Sequence, residues 1–143
     1  MRRSLLIIAL GVAVLVFVTW LGTIATNEIP HAPTAPVQVK QAGPYSITLQ
    51  VAPNPPPTSG PATLSFQVLL SQSQQPASNL HITLQSNMQE MGMAIDQVQA
   101  SPHGNGLYLA SVQFPMSGLW QVQVTITSPG TPSATTTFEI TTQ

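Results

Sequence analysis

The sequence predicts an all-β domain, an antiparallel sandwich of about seven strands, behind one N-terminal transmembrane helix. Three observations carry that expectation. Hydrophobic residues from Tyr45 onward recur with a period of two rather than 3.6. Turn-forming clusters interrupt these stretches about every 8–12 residues. The chain also opens with one long uncharged run, Leu5 to Thr26, directly after Arg2 and Arg3.

That run of 22 residues is long enough for a hydrocarbon core of about 30 Å at about 1.5 Å per residue. Arg2 and Arg3 precede it and no basic residue follows until Lys40, so the N-terminus is expected in the cytoplasm and the rest outside it. Residues 1–26 are therefore read as an anchor in the cell membrane. The competing reading is a cleaved signal peptide ending at Thr23-Ile24-Ala25. The length favours the anchor, because a signal core spans only about 7–15 residues. Residues 27–42 read as a stalk, since Pro30, Pro33 and Pro36 fall three apart and favour an extended spacer. His31 belongs to this stalk as a solvated histidine.

The domain is expected over residues 43–143. Tyr45, Ile47, Leu49 and Val51 form the first alternating strand, followed by the turn Pro53-Asn54-Pro55-Pro56-Pro57. Leu64, Phe66, Val68 and Leu70 form the next, and a polar loop from Ser71 to Asn79 leads to Leu80, Ile82 and Leu84. His81, alternating with these, faces solvent. An irregular segment from Asn87 to Ala100 and a turn from Ser101 to Gly106 precede Tyr108, Ala110, Val112 and Phe114. After a turn at Pro115 to Gly118 come Trp120, Val122, Val124 and Ile126, then a short last strand with Phe138 and Ile140. Trp120 is expected in the core, and Tyr108 in the core or at a corner with its hydroxyl bonded to backbone. No internal repeat supports a solenoid.

Composition removes most chemistry. Charged residues are 5% of the chain, the net charge is −1 and there is no cysteine. Three basic residues cannot build the face that neutralises phosphates, so nucleic acid is excluded as a partner. Disulfides, zinc–thiolate sites and thiol nucleophiles are excluded as well. No Gly-x-Ser-x-Gly elbow or phosphate-cradling glycine loop is present. The domain's carboxylates are Glu90, Asp96 and Glu139 and its histidines His81 and His103, too few titratable groups to favour an enzyme.

One window stands apart, Asn87-Met88-Gln89-Glu90-Met91-Gly92-Met93. Thioether sulfur is a soft neutral donor that suits Cu(I) and is a poor ligand for Mg²⁺ or Ca²⁺. Methionine is equally a flexible filler of cores. The polar neighbours and the nearby His103 point to a ligand loop, the residue type alone to packing, and both readings stand.

The run Met88-x-x-Met91-Gly92-Met93, the strand Val98-Gln99, Gly106-Leu107-Tyr108 and the stretch Phe114-Pro115-Met116-Ser117-Gly118-Leu119-Trp120-Gln121-Val122 together resemble a YtkA-like domain, with FixH as a more distant relative. The resemblance covers about Gly43 to Ile140. It implies an immunoglobulin-like sandwich, membrane-anchored or secreted by bacteria, with links to copper handling or respiratory oxidase assembly. It also implies that Met116, in the Phe-x-Met-x-Gly-x-Trp turn, joins Met88, Met91 and Met93 as a metal ligand. Relatives commonly carry histidine beside the methionine cluster, where this chain has Met93, so His103 is the one imidazole available to such a site. The expected cofactor is Cu(I). The expected partners are the membrane and a membrane protein complex or copper-handling protein. The alternative is a non-catalytic module that docks on such a complex without metal.

Overall fold

The computed structural model describes residues 33–89, 92, 94 and 97–143. The expected transmembrane helix and most of the stalk fall outside them. Among the described residues no helix is long and apolar enough to cross a membrane.

Nine strands run in chain order: β1 (Val37–Ala42), β2 (Tyr45–Ala52), β3 (Pro61–Leu70), β4 (His81–Met88), β5 (Val98–Gln99), β6 (Ser101–Gly104), β7 (Leu107–Gln113), β8 (Gly118–Ser128) and β9 (Thr131–Thr142). Every pairing is antiparallel. A five-stranded sheet in the order β1-β2-β3-β7-β6 faces a four-stranded one in the order β5-β4-β8-β9. The alternation read from the sequence is what closes them on each other. Ile47, Leu49, Leu64, Phe66 and Val68 of the first sheet, and Ile82, Leu84, Val122, Val124, Phe138 and Ile140 of the second, are all buried. Phe66 and Phe138 meet across the interior with ring centroids 6.3 Å apart and planes tilted by 58°.

Three expectations change. The stalk gives up its last six residues, because Val37–Ala42 pair with β2 from Val37↔Gln50 to Ala42↔Tyr45; the sandwich begins at Val37, not at Gly43. Ser101–Gly104 is strand β6, with only Asn105-Gly106 left to turn into β7. The last strand is 12 residues long, since Ala134 and Thr142 also face inward and are buried. These additions raise the count from about seven to nine.

The registers sort the connections onto two ends. One end gathers the β1–β2 turn, the loop after β3, the Asn105-Gly106 turn and the β8–β9 turn. The other gathers the start of β1, the β2–β3 loop, the end of β4 and the β7–β8 turn. Tyr108 locks the first end: its hydroxyl donates to Ala77 O at 3.1 Å and accepts from Leu80 N at 3.3 Å, the corner role expected of it.

Candidate functional site

The second end is where Met88 and Met116 lie. β4 stops at Met88, whose carbonyl accepts from Gly92 N–H at 3.1 Å, while Gln89 N–H donates to Leu119 O at 3.2 Å. Asn87 forms an antiparallel bridge to Ala94. Gly92 permits this with φ +60° and open space around it.

Met88 pairs in register with Trp120, which puts their Cα atoms about 5 Å apart. The indole Nε1–H of Trp120 in turn donates to Met116 O at 3.1 Å. Thr142 Oγ1 is within hydrogen-bond reach of the same carbonyl at 2.8 Å and of Gly118 O at 3.2 Å. The β7–β8 turn is thereby pinned from below by a buried ring and from the side by the last strand. Met116 packs on the core while staying half-buried. The end of β4 and the Met116 turn, distant in sequence, lie side by side because β4 pairs with β8.

The individual methionines differ. Met88 is core: it is 6% exposed, and its Cε lies only 2.7 Å from where a Cβ on Gly118 would sit. Gly118, with φ +140°, leaves the space that this methyl fills. Met91 and Met93 lie outside the described residues. Met116 keeps part of its side chain accessible.

His103 does not join them. It is exposed on β6, where Gly104 pairs with Leu107 at the start of β7. Seven residues of β7, at about 3.3 Å each, separate that position from the Met116 turn, a distance of roughly 20 Å. Among the described residues, His103 and Met116 are therefore not brought together. His81 is exposed at the start of β4, on a groove of about 500 Å³ with Ile82, Pro102 and Pro129, also away from the methionines. Among the described residues no group of three or more His, Asp or Glu side chains converges on a point. Sequence reasoning missed Thr142 and Gly118 as supports of the Met116 turn. Nothing local signals Thr142, because its partners come from the opposite strand.

The order of the motifs along the chain agrees with a known pattern. The sequence profile of YtkA-like proteins matches residues 39–125. The chain belongs to the YtkA-like family. The YtkA-like match runs from within β1 to within β8, so it includes the methionine hairpin and the Met116 turn and leaves out β9. No curated protein matches the chain. A crystal structure of a DUF4426 family protein from Pseudomonas aeruginosa PAO1 is similar in fold, with a TM-score of 0.52 at 11% identity, covering 74% of this chain and 94% of that one. At that identity the likeness concerns the fold alone.

Proposed function

We propose that this YtkA-like protein is a non-catalytic module, anchored in the membrane by residues 1–26 with its sandwich outside the cytoplasm, and that its methionine-bearing end takes one Cu(I) in copper handling or oxidase assembly. The observation that supports the reading is the chain of contacts Met88–Trp120–Met116, which holds the end of β4 against the β7–β8 turn. Met116, partly accessible, and Met91 and Met93, on either side of Gly92 in the sequence, supply the soft donors; Met88 is buried in the core. Thioethers lose no proton on binding, so copper enters without competition from acid. A site of this kind exchanges its ion readily with a partner, which suits delivery better than storage.

The test is a Cu(I) titration of the full chain in detergent under reducing conditions, against a competing chelator, with Zn²⁺ as the control. One Cu(I) should bind and Zn²⁺ should not. Met91→Leu with Met93→Leu conserves volume and hydrophobicity, so the fold should persist while Cu(I) affinity falls. Unchanged affinity in that variant would hand the protein to the alternative, a docking module without metal. The burial of Met88 is the observation that favours this second reading.

A further inference from the structure

The edges of the two sheets are managed very unequally. Unpaired backbone groups along an edge are a template for another strand, and proteins usually block them with charge, proline, bulges or brevity. β5 has only two residues. β6 has four, includes Pro102 and is broken by a bulge between Pro102 and Gly104. β9 is long, but side chains from β1 and the residues before it occupy its edge. Thr34 Oγ1 accepts from Thr141 N–H at 3.2 Å, Gln38 Nε2 donates to Glu139 O at 2.6 Å, and Lys40 Nζ donates to Thr137 O.

β1 is different. It has six residues and pairs only with β2, and no described residue bonds to its other side. Its one charge, the usual guard of an edge, is drawn off it: Lys40 reaches to Thr137 O and lies 5.8 Å from the centre of the Phe138 ring. What remains outward is Val37 at 48% and Val39 at 63% exposure, beside Gln50 and Thr48 of β2. Two of the three exposed large aliphatic side chains among the described residues thus sit on an edge that no described residue protects.

We propose that β1 pairs antiparallel with β1 of a second copy of this chain, about a twofold axis at Val39, so that two five-stranded sheets become one of ten. The strand is self-complementary in that register. Val39 faces the partner's Val39, Val37 faces the partner's Gln41, and Gln38 faces the partner's Lys40. An axis at Lys40 would set two ammonium groups opposite each other, which disfavours pairing. An axis at Gln38 would keep only Val37 to Val39 of the strand within the ladder, against Val37 to Gln41 for an axis at Val39. The Val39 register avoids both, and each Lys40 meets an uncharged amide. A different protein's strand would have no reason to share this pattern. The proposal is independent of whether copper binds.

The chain has no cysteine, so Val39→Cys gives the full-length protein a single thiol. Treated with a short thiol-specific cross-linker in membranes and in detergent, it should yield a covalent dimer in preference to Thr127→Cys, whose site is exposed on the far sheet. Adding Gln38→Lys keeps a donor for Glu139 O but sets lysine against the partner's Lys40, and should reduce cross-linking roughly fivefold. Adding Lys40→Gln as well exchanges the two residues and should restore it, a rescue that simple misfolding would not show. Equal cross-linking of the Val39→Cys and Thr127→Cys proteins would overturn the proposal, as would indifference to Gln38→Lys. Cross-linking of Val39→Cys to a protein of another mass would do the same.

Discussion

Removing one oxygen atom, by Tyr108→Phe, tests whether the corner at the first end of the sandwich holds the loop after β3. The ring is 2% exposed and stays in place in the variant; Ala77 and Leu80, at 5% and 7%, are buried beside it. Without the hydroxyl, Ala77 C=O and Leu80 N–H lose their partner, and a buried polar group left unpaired costs about 1–3 kcal/mol. The bond from Leu80 N–H is long at 3.3 Å, so its loss falls at the lower end of that range. The sum is about 2–4 kcal/mol, a large part of the roughly 5–15 kcal/mol typical of a domain. At about 4–8 °C per kcal/mol for a domain near this size, Tm should fall by roughly 10–30 °C. Urea unfolding of the full chain in detergent, followed by near-UV circular dichroism, should show a lower midpoint and an unchanged slope. A loss below about 0.5 kcal/mol would show that neither backbone group depends on the hydroxyl.

A second pair of variants separates backbone conformation from space. Gly106 and Gly104 have φ +73° and +84°, but a Cβ on Gly106 would lie 2.5 Å from Val68 O whereas one on Gly104 meets nothing within 4 Å. Gly106→Ala should cost about 3 kcal/mol or more and Gly104→Ala about 1 kcal/mol, measured by the same unfolding; equal losses would refute the clash. If Cu(I) is held by thioethers, affinity should stay level between about pH 5.5 and about pH 8, because no ligand takes up a proton over the range in which a histidine would. His103→Ala should leave the titration unchanged, and a loss of affinity there would return His103 to the site.

Most of the sandwich was legible because its strands bury one face and wet the other. Tyr45 to Val51 and Trp120 to Ile126 keep that alternation without interruption, and both are strands as expected. The strands that escaped notice carry no such signal. β1 lies among prolines and buries only Ala42, so its pairing depends on β2 rather than on hydrophobic pattern. β6 is exposed at all four positions and exists because β7 offers it a ladder. In β9 the inward positions 136 and 142 are threonine, which disguises the period. At the candidate site, the nearness of the end of β4 to the Met116 turn followed from the layout of a sandwich. The separation of His103 did not, since it depends on β6 pairing along β7, and whether Met88 packs or projects depends on a hollow that only Gly118 provides.

The latches between β1 and β9 have a mechanical meaning. Any pull on the chain upstream of Pro33 reaches the domain at Thr34, which is held by Asn54 Nδ2–H at 3.1 Å and by Thr141 N–H at 3.2 Å. Load then passes to Gln38 and Lys40, each tied to a carbonyl of β9, as well as to the ladder with β2. Tension therefore spreads over both sheets at once, and β1 cannot be peeled from β2 without also tearing three side-chain ties to β9. A domain built this way resists being stripped strand by strand when it is pulled from its N-terminal side.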